Sequence, residues 1–393
     1  MPDGTIELAI RAADSLAEIP AAEWDACALP PGGDDNPFVS HAFLSALERS
    51  GSVGRRSGWL PQYLLAETAD GRLLGAVPLY VKSHSYGEYV FDHGWADAFE
   101  RAGGTYYPKL QVAVPFTPAP GPRLLVRPGD AQDVIADALC EALIQLTRSN
   151  GFSSCHVTFC QEEEWRRLEA HGFLRRTGQQ YHWTNQGYGS FDDFLAALSS
   201  RKRKTIRKER QAVAEAGLTM RALSGDQLEP RHWDAFYRFY IDTGSRKWGQ
   251  PYLTRGFFEE IGRTMADKVV LVVAEDGNGE LVAGALNLKG RDTLFGRNWG
   301  CIEDYRFLHF EACYYQAIDY AIAHGLKRVE AGAQGEHKIQ RGYLPVPVYS
   351  AHWIADPGFR RAVDDYLNRE RPAIARQIEE LAAYSPFRKS DET

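Results

Sequence analysis

The chain has 393 residues, of which 44% are hydrophobic and 25% charged, and its net charge at pH 7 is −7. This is the composition of a globular protein with room for two domains, and the negative balance argues against DNA as a partner. The sequence shows no secretory signal, no transmembrane-length apolar run, and six cysteines too scattered for a disulfide framework or a zinc site. We therefore expect a cytoplasmic protein with free thiols and no bound metal.

Two β-hairpins are the first predicted elements that resemble each other. Residues 64–81 and 272–290 each read as strand, turn and strand, with Asp70-Gly71 at the first turn and an Asp/Gly/Asn-rich turn in the second. Such turn residues between apolar runs are a strong short-range hairpin signal. The pair therefore indicates an internal duplication.

A second pair of segments occupies the matching place in each half. GFLRRTGQQYHW (172–183) aligns without gaps on GYLPVPVYSAHW (342–353), and each follows a long amphipathic helix and a short strand. Two matches in the same order, with the same intervening elements, predict a duplicated α/β domain. The polar, Gly-rich stretch after Trp183 places the boundary so that the domains are 1–186 and 187–393. A helix over 191–216, with Ser190 as its N-cap, and a last helix over 358–384 complete the second domain.

The order of elements in each half resembles the GNAT acyltransferase fold. Two such units in one chain are similar to the Fem-like transferases of the peptidoglycan biosynthesis and recognition type. The resemblance implies an α/β (α+β) fold in which mixed sheets are flanked by helices. It also implies transfer of an acyl group from acyl-CoA or aminoacyl-tRNA, with no bound cofactor, onto an amine of a small metabolite or cell-wall precursor. The alternative is a binding protein that recognises such a precursor or an anionic lipid without turnover.

Residues 294–316 contain the best catalytic candidates. A strand here places Arg297 and Trp299 on one face, and the helix that follows carries Glu311 and Tyr314 one turn apart, close to His309. An aromatic wall with one Arg and one Glu can hold an amine and deprotonate it. The alternatives are that Glu311 forms a structural ion pair with Arg297 or Arg306 and that His309 is a surface or capping residue.

The segment EAGAQGEHKIQRGYLP (330–345) is the candidate phosphate-binding turn. A glycine-rich turn before a helix presents N–H groups to anions, so Gly335, His337, Lys338 and Arg341 are candidate donor-binding residues. The usual GNAT pattern Q/R-x-x-G-x-G/A is absent, which puts acetyl-CoA in doubt as the donor. A turn without any ligand is the alternative.

The stretch SSRKRKTIRKER (199–210) is the most prominent charge feature, with seven basic residues between Arg201 and Arg210. On a helix these cations form a stripe suited to the phosphates of tRNA, a nucleotide-sugar or a lipid headgroup. The candidate phosphate-binding residues are Lys202, Arg203, Lys204 and Arg207. A solvated helix face without a partner is the alternative.

Two loops are candidates for substrate recognition. TYYPKLQVAVPFTPAPGPRLL (105–125) predicts a rigid loop over an acceptor pocket, or else a cover for a sheet edge. SRKWGQPYL (245–253) predicts a second loop that faces substrate. The substrate-binding candidates in these loops are Tyr107, Lys109, Lys247, Trp248 and Tyr252.

Overall fold

The structure is a computed structural model that describes residues 7–33, 35–246, 251–332 and 335–388. The described strands, numbered in chain order, are β1 (Leu8–Ala13), β2 (Trp59–Pro61), β3 (Tyr63–Thr68), β4 (Leu73–Val77), β5 (Leu79–Lys82), β6 (Lys109–Val112), β7 (Leu125–Val126), β8 (Ser154–Cys160), β9 (Leu174–Thr184), β10 (Thr219–Leu223), β11 (Val269–Glu275), β12 (Leu281–Lys289), β13 (Thr293–Cys301), β14 (Arg328–Glu330) and β15 (Leu344–Ile354). The described α-helices are α1 (Ala21–Ala28), α2 (His41–Arg49), α3 (His93–Arg101), α4 (Gln132–Ser149), α5 (Glu162–Ala170), α6 (Phe191–Ala197), α7 (Ser200–Glu215), α8 (Pro230–Arg246), α9 (Arg255–Thr264), α10 (Leu308–Phe310), α11 (Gln316–Ala323) and α12 (Pro357–Ala382).

The chain divides into two compact units that do not follow a single cut. Unit 1 takes the described residues up to Gly178 together with Val348–Ala375, and unit 2 takes Gln179–Pro347 together with the described residues from Arg376 onward. The expected division after residue 186 falls shortly beyond the first of these changes. It does not predict that Val348–Ala375, from the second half of the chain, belongs to unit 1.

Unit 1 contains two sheets whose strands follow the orders β1-β3-β4-β7 and β2-β5-β6-β8-β15. Among the described pairings of the second sheet, β6 and β8 are parallel and the others antiparallel, and β15 joins it through Tyr349–Ile354. Helix α4 packs its apolar face on this unit, with Leu139 and Leu143 completely buried. Burial of that stripe is what holds an amphipathic helix on a sheet.

Unit 2 contains one sheet with the order β10-β11-β12-β13-β14-β9. Strands β13 and β14 are parallel, and β9 joins β14 through His182–Thr184. The core of this unit is rich in aromatic side chains that come from the site region, among them Tyr314 and Tyr315. The fold that the resemblance implies, sheets flanked by helices, is therefore confirmed.

The local features that predicted the duplication are present. The two predicted hairpins are β3–β4 and β11–β12, and both aligned segments begin with a glycine in the left-handed region, Gly172 (φ 86°) and Gly342 (φ 90°). A Cβ at Gly342 would also lie 2.9 Å from the Phe194 ring. Glycine is needed here because other residues adopt this backbone conformation at a cost.

One helix prediction was wrong. The segment 191–216 forms two helices, α6 and α7, because Leu198 is in an extended conformation (φ −82°, ψ 156°) and pairs with Phe387. The side chain of Ser190 does cap α6 by accepting a hydrogen bond from the Asp193 amide, as expected. The last helix, α12, covers nearly all of its predicted range.

Candidate functional site

The site region begins on β13. A β-bulge in this strand lies just beyond the point where its pairing with β14 ends. Leu286 lies opposite Asn298 and Asn287 opposite Gly296, which makes Arg297 the additional residue of the bulge. On its other edge β13 pairs with β14 only as far as Phe295. Bulges re-aim side chains and are frequent beside active sites. Arg297 and Trp299, both half-buried, are carried by this part of the strand.

The helix after β13 contains a π-helical turn that the sequence did not predict. Phe307 has a left-handed conformation (φ 66°), α10 follows, and residues Glu311–Tyr315 form the π turn before α11. Such turns are rare and are often found at functional sites. Because the turn is wider than an α-helical one, it alters which way Glu311 and Tyr314 point relative to a regular helix.

Glu311 is buried and forms an ion pair with a residue of α7. Its carboxylate accepts hydrogen bonds from Arg210 Nε at 3.2 Å and from a terminal guanidinium nitrogen of Arg210 at 3.0 Å. Gln316 donates a further bond at 2.8 Å, and Arg210 also reaches Asp319 at 2.7 Å. Burial works to lower the pKa of Arg210, but the two carboxylates raise it above its usual value. The arginine that pairs with Glu311 is thus on a helix 101 residues earlier in the chain.

Four aromatic rings, those of Trp299, His309, Tyr314 and His337, lie close together near Glu311. The His309 ring lies 5.4 Å from both the Trp299 and Tyr314 rings and 6.2 Å from the His337 ring. The Tyr314 hydroxyl is hydrogen-bonded to His337 Nε2 at 2.9 Å. Partial burial of the ring, assisted by Arg341, lowers the pKa of His337 and so favours its neutral form. A neutral, exposed imidazole is able to accept a proton.

The turn after β14 carries cations that point into the protein. Residues Glu336–Arg341 form a 3-10 helix, and a Cβ at Gly335 (φ 109°) would lie 2.5 Å from the His337 ring. Lys338 is buried and donates hydrogen bonds to the carbonyls of Ala331 at 2.7 Å and Gly332 at 3.0 Å. Burial lowers the pKa of Lys338 to about 8. The structure therefore places Lys338 beneath the turn and not on a phosphate-facing surface.

Arg341 is also engaged inside unit 2. It donates to Glu209 at 2.9 Å and to the carbonyl of His337 at 2.9 Å, and its guanidinium lies 3.4 Å from the centre of the Phe310 ring. The hydroxyl of Tyr315 donates to the same Glu209 carboxylate. Arg341 thus joins the turn that carries His337 to α7 and to the ring next to His309.

Helix α7 has one face turned inward and one face turned to solvent. Glu209 and Arg210 make the inward contacts described above, whereas Lys204 and Arg207 are exposed. Lys202 and Arg203 are half-buried, and Arg207 forms an exposed ion pair with Asp192 at 3.1 Å. Exposed pairs of this kind contribute little to stability. The outer face of α7 therefore remains a concentration of positive charge.

The loop candidates have different outcomes. Lys109 is completely buried in unit 1, where it donates to Glu88 at 2.8 Å and Ser85 at 2.9 Å, so it does not face a substrate. Tyr107 is half-buried, and its hydroxyl is hydrogen-bonded to Ser85 at 2.8 Å. Tyr252 is 38% exposed. Lys247 and Trp248 lie outside the described residues.

Two negative findings concern the described residues alone. Within the ranges that the structure describes, no three His, Cys, Asp or Glu side chains gather in a way that could hold a metal ion. No helix in the same ranges combines the length and the apolar character that crossing a membrane requires.

Comparisons with known proteins point to one family. A family model named FemAB-like, with the description peptidoglycan biosynthesis/recognition, matches residues 15–389. A search of curated proteins finds no match. Among solved structures, FemX has a TM-score of 0.55 at 11% identity and covers 88% of this chain and 98% of its own. The C-terminal DUF2156 domain of a putative lysylphosphatidylglycerol synthetase from Agrobacterium fabrum has a TM-score of 0.51 at 12% identity, covering 90% and 97%. A tandem GNAT protein from the clavulanic acid pathway has a TM-score of 0.47 at 12% identity, covering 89% and 98%.

Proposed function

Because the chain belongs to the FemAB-like family of peptidoglycan biosynthesis and recognition proteins, we propose that it transfers an acyl or aminoacyl group to an amine. The acceptor is an amine of a cell-wall precursor or small metabolite. The donor is an aminoacyl-tRNA or an acyl-CoA, used as a co-substrate without a bound cofactor. Both donors are made in the cytoplasm, and the proposal places the reaction there.

The proposed reaction needs one nucleophile and one proton acceptor. The neutral amine attacks the carbonyl carbon of the donor ester or thioester, a new C–N bond forms, and the amine gives up a proton. The C–O or C–S bond then breaks, and the leaving hydroxyl or thiol takes the proton. No covalent enzyme intermediate is required, so the protein has to position the two substrates and move the proton.

One observation carries the proposal: a single helix connects the exposed cations with the aromatic site. Helix α7 displays Lys204 and Arg207 to solvent and, one turn later, holds Glu311 through Arg210. A donor whose phosphates bind the outer face of α7 is thereby held at a fixed place relative to the rings at His309 and Tyr314. Fixing the two substrates is where this chemistry gains most of its rate.

The geometry supports His337 as the proton acceptor. His337 lies at the surface, its lowered pKa favours the neutral ring, and Tyr314 orients it through the 2.9 Å hydrogen bond. Glu311, a candidate either for the base or for a structural ion pair, is held by Arg210 and Gln316 and fits a positioning role. Lys338 and Arg341 fix the turn that carries His337. Arg297, Trp299 and His309 line the side on which the amine would lie.

The test is a transfer assay on the full chain with His337→Gln. Charged tRNA and acyl-CoA are offered in turn with a UDP-linked muropeptide, and product is measured by its mass. Loss of a general base lowers kcat by about 10²–10⁴-fold, whereas KM for both substrates should change little.

The matched control is His324→Gln, because His324 is an exposed histidine of the same unit that stacks on Tyr320 away from the proposed site. It should retain the wild-type rate. Wild-type kcat in the His337 variant would show that this imidazole is not the base. Absence of turnover by the wild-type chain with every donor would contradict the transferase proposal itself.

A second candidate function is recognition of a precursor without turnover. The observation in its favour is that Glu311 is already engaged by Arg210, which leaves the most buried carboxylate of the site without a free role in proton transfer. The two functions differ in the same assay, since a recognition protein would bind the muropeptide and form no product.

A further inference from the structure

The segment 83–93 of unit 1 has an inverted burial pattern. Three of its polar residues, Ser85, Glu88 and Asp92, are 4%, 4% and 3% exposed, whereas two of its aromatic residues, Tyr86 and Phe91, are 62% and 60% exposed. Charged residues are seldom buried unless they are paired, and large aromatic residues normally bury most of their surface. Segment 83–93 reverses both tendencies, and this unusual burial pattern suggests that the exposed rings have a function.

The buried polar residues hold the segment from below. Lys109 donates to Glu88 at 2.8 Å, to Asp92 at 2.5 Å and to Ser85 at 2.9 Å. The carbonyl of Tyr86 accepts two hydrogen bonds, one from Lys82 Nζ and one from Trp59 Nε1, each at 3.2 Å. The segment is therefore fixed at several points along its length, and the exposed rings are displayed on a rigid support.

Four rings of this segment lie next to one another, those of Tyr86, Phe91 and His93 exposed and that of His84 half-buried. The His84 ring is 5.2 Å from Tyr86, Tyr86 is 5.6 Å from His93, and His93 is 6.4 Å from Phe91. We call these four residues the aromatic shelf. Exposed aromatic surface held in a fixed arrangement marks a binding site more often than chance exposure does.

The composition of the shelf indicates which ligand it fits. Segment 83–93 contains no Lys or Arg, and both of its carboxylates are buried. Arg176 donates to the Phe91 carbonyl at 2.8 Å, but its charge is paired with Glu370 at 2.8 Å. The segment itself therefore offers no charge to a phosphate. The electron-rich face of an aromatic ring attracts polarised C–H groups. Tyr and His also carry polar atoms at the ring edge that bond to hydroxyl groups. A neutral, hydroxylated ring satisfies all three features.

We propose that the aromatic shelf is a saccharide-binding site. This deepens the proposed function, on which it rests for the identity of the physiological ligand, because a cell-wall precursor carries amino-sugar rings beside its acceptor peptide. The shelf would hold the sugar part of the acceptor by ring stacking and by hydrogen bonds from Tyr86 and His93. The ring nitrogens of His84 are already bonded to the Ser57 carbonyl and the Tyr86 amide, so His84 contributes only its ring face. Unit 1 would then select the acceptor by its sugar.

The test measures saccharide binding directly and does not depend on turnover. Saturation-transfer NMR on the full chain uses an N-acetylglucosamine–N-acetylmuramic acid disaccharide as the probe, with no donor present. Tyr86→Ala/Phe91→Ala should weaken binding about tenfold or more, a factor that corresponds to ~1.4 kcal/mol and is within reach of two ring contacts. Tyr384→Ala is the matched control, since Tyr384 is 67% exposed outside the shelf.

The outcomes are separable from those of the transfer assay. Probe saturation in the wild type and in the Tyr384 variant, lost in the double variant, supports the proposal whether or not the chain proves to be a transferase. No saturation in the wild type, or equal saturation in all three proteins, overturns it. Binding of uridine monophosphate or of anionic phosphatidylglycerol vesicles that the double variant loses, without saccharide binding, would also overturn it by assigning the shelf to another ligand.

Discussion

Replacing Lys109 by Met tests whether the buried charge network supports unit 1. The Lys109 ammonium is completely buried and lies between two carboxylates that are themselves buried, those of Glu88 and Asp92. Met has a similar length and volume but neither charge nor hydrogen-bond donors. The substitution therefore leaves the space filled and removes the electrostatic partner.

The expected cost can be worked out from the two carboxylates that remain. The Lys109 ammonium holds the pKa of Asp92 well below its usual value against the opposing effect of burial. Removing one partner of a buried pair costs about 3–5 kcal/mol, because an uncompensated charge is left in the interior. Partial protonation limits this cost, since burial already raises the pKa of Glu88 to about 7. We therefore expect Lys109→Met to lower the free energy of unfolding of unit 1 by about 3 kcal/mol or more at pH 7.

The assay is urea unfolding with hydrogen–deuterium exchange, which assigns the loss of protection to particular segments. A chain with two units need not unfold in one step, and exchange separates β6 and β8 in unit 1 from the strands of unit 2. The matched control is Lys327→Met, because Lys327 forms an ion pair with Asp292 at 3.2 Å with 78% of its side chain exposed. Exposed pairs contribute about 0–1 kcal/mol.

A specific result would refute this reasoning. If Lys109→Met costs no more than Lys327→Met, the buried network does not stabilise unit 1, and the rigid support inferred for the aromatic shelf is lost with it. Loss of protection confined to unit 2 would equally contradict the structure.

Two further predictions concern pH and salt. Burial, followed by the effect of Lys109, lowers the folded-state pKa of His156 to about 3, and burial lowers that of His352 well below its usual value, so both are neutral when folded. Each therefore contributes stability that is present above the unfolded value near pH 6.5 and lost as the pH falls toward 3, with a slope of about 1.4 kcal/mol per pH unit. The urea midpoint of His352→Gln should thus fall less steeply than that of the wild type between pH 6.5 and pH 5, and an unchanged slope would contradict the assignment. For α7, Lys204→Ala/Arg207→Ala should weaken binding of charged tRNA and reduce the slope of log K against log salt concentration by about one unit per cation. The control Lys327→Ala should leave both the affinity and the slope unchanged. An unaltered slope in the double variant would exclude the outer face of α7 as the donor site.

The fold was largely predictable because its signals are local. An Asp-Gly turn between apolar runs indicates a hairpin wherever it occurs, and Gly172 and Gly342 are required by backbone conformations that other residues adopt at a cost. The repeat of these signals in the same order was enough to predict two similar α/β units. The break at Leu198 was not predictable from the segment itself, because it is associated with pairing to Phe387 far along the chain.

The candidate site was predictable as a region and not as a set of contacts. The pattern of β13 and the helix after it predicts Trp299, His309 and Tyr314 as one group, and their rings do lie close to one another in the structure. The partnership of Glu311 with Arg210 depends on how α7 packs, and nothing in either segment specifies it. The burial of Lys109 was missed for a related reason. From sequence alone a lysine is predicted to be exposed unless its carboxylate partners are known. The partners of Lys109 are Glu88 and Asp92, which belong to an earlier segment of the chain.

The duplication also shows how equivalent positions acquire different chemistry. His182 on β9 lies opposite Glu330 on β14, and His352, its counterpart in the aligned repeat, lies opposite His156 on β8. In unit 1 the two imidazoles are hydrogen-bonded through their Nδ1 atoms at 2.7 Å, an arrangement in which one ring must be a neutral acceptor. In unit 2 the corresponding imidazole, that of His182, lies 3.8 Å from the Glu330 carboxylate. Burial lowers the pKa of His182 to about 3, as it does for His156. The same register therefore holds a buried imidazole in both units but gives it a different partner on the neighbouring strand, a second imidazole in unit 1 and a carboxylate in unit 2.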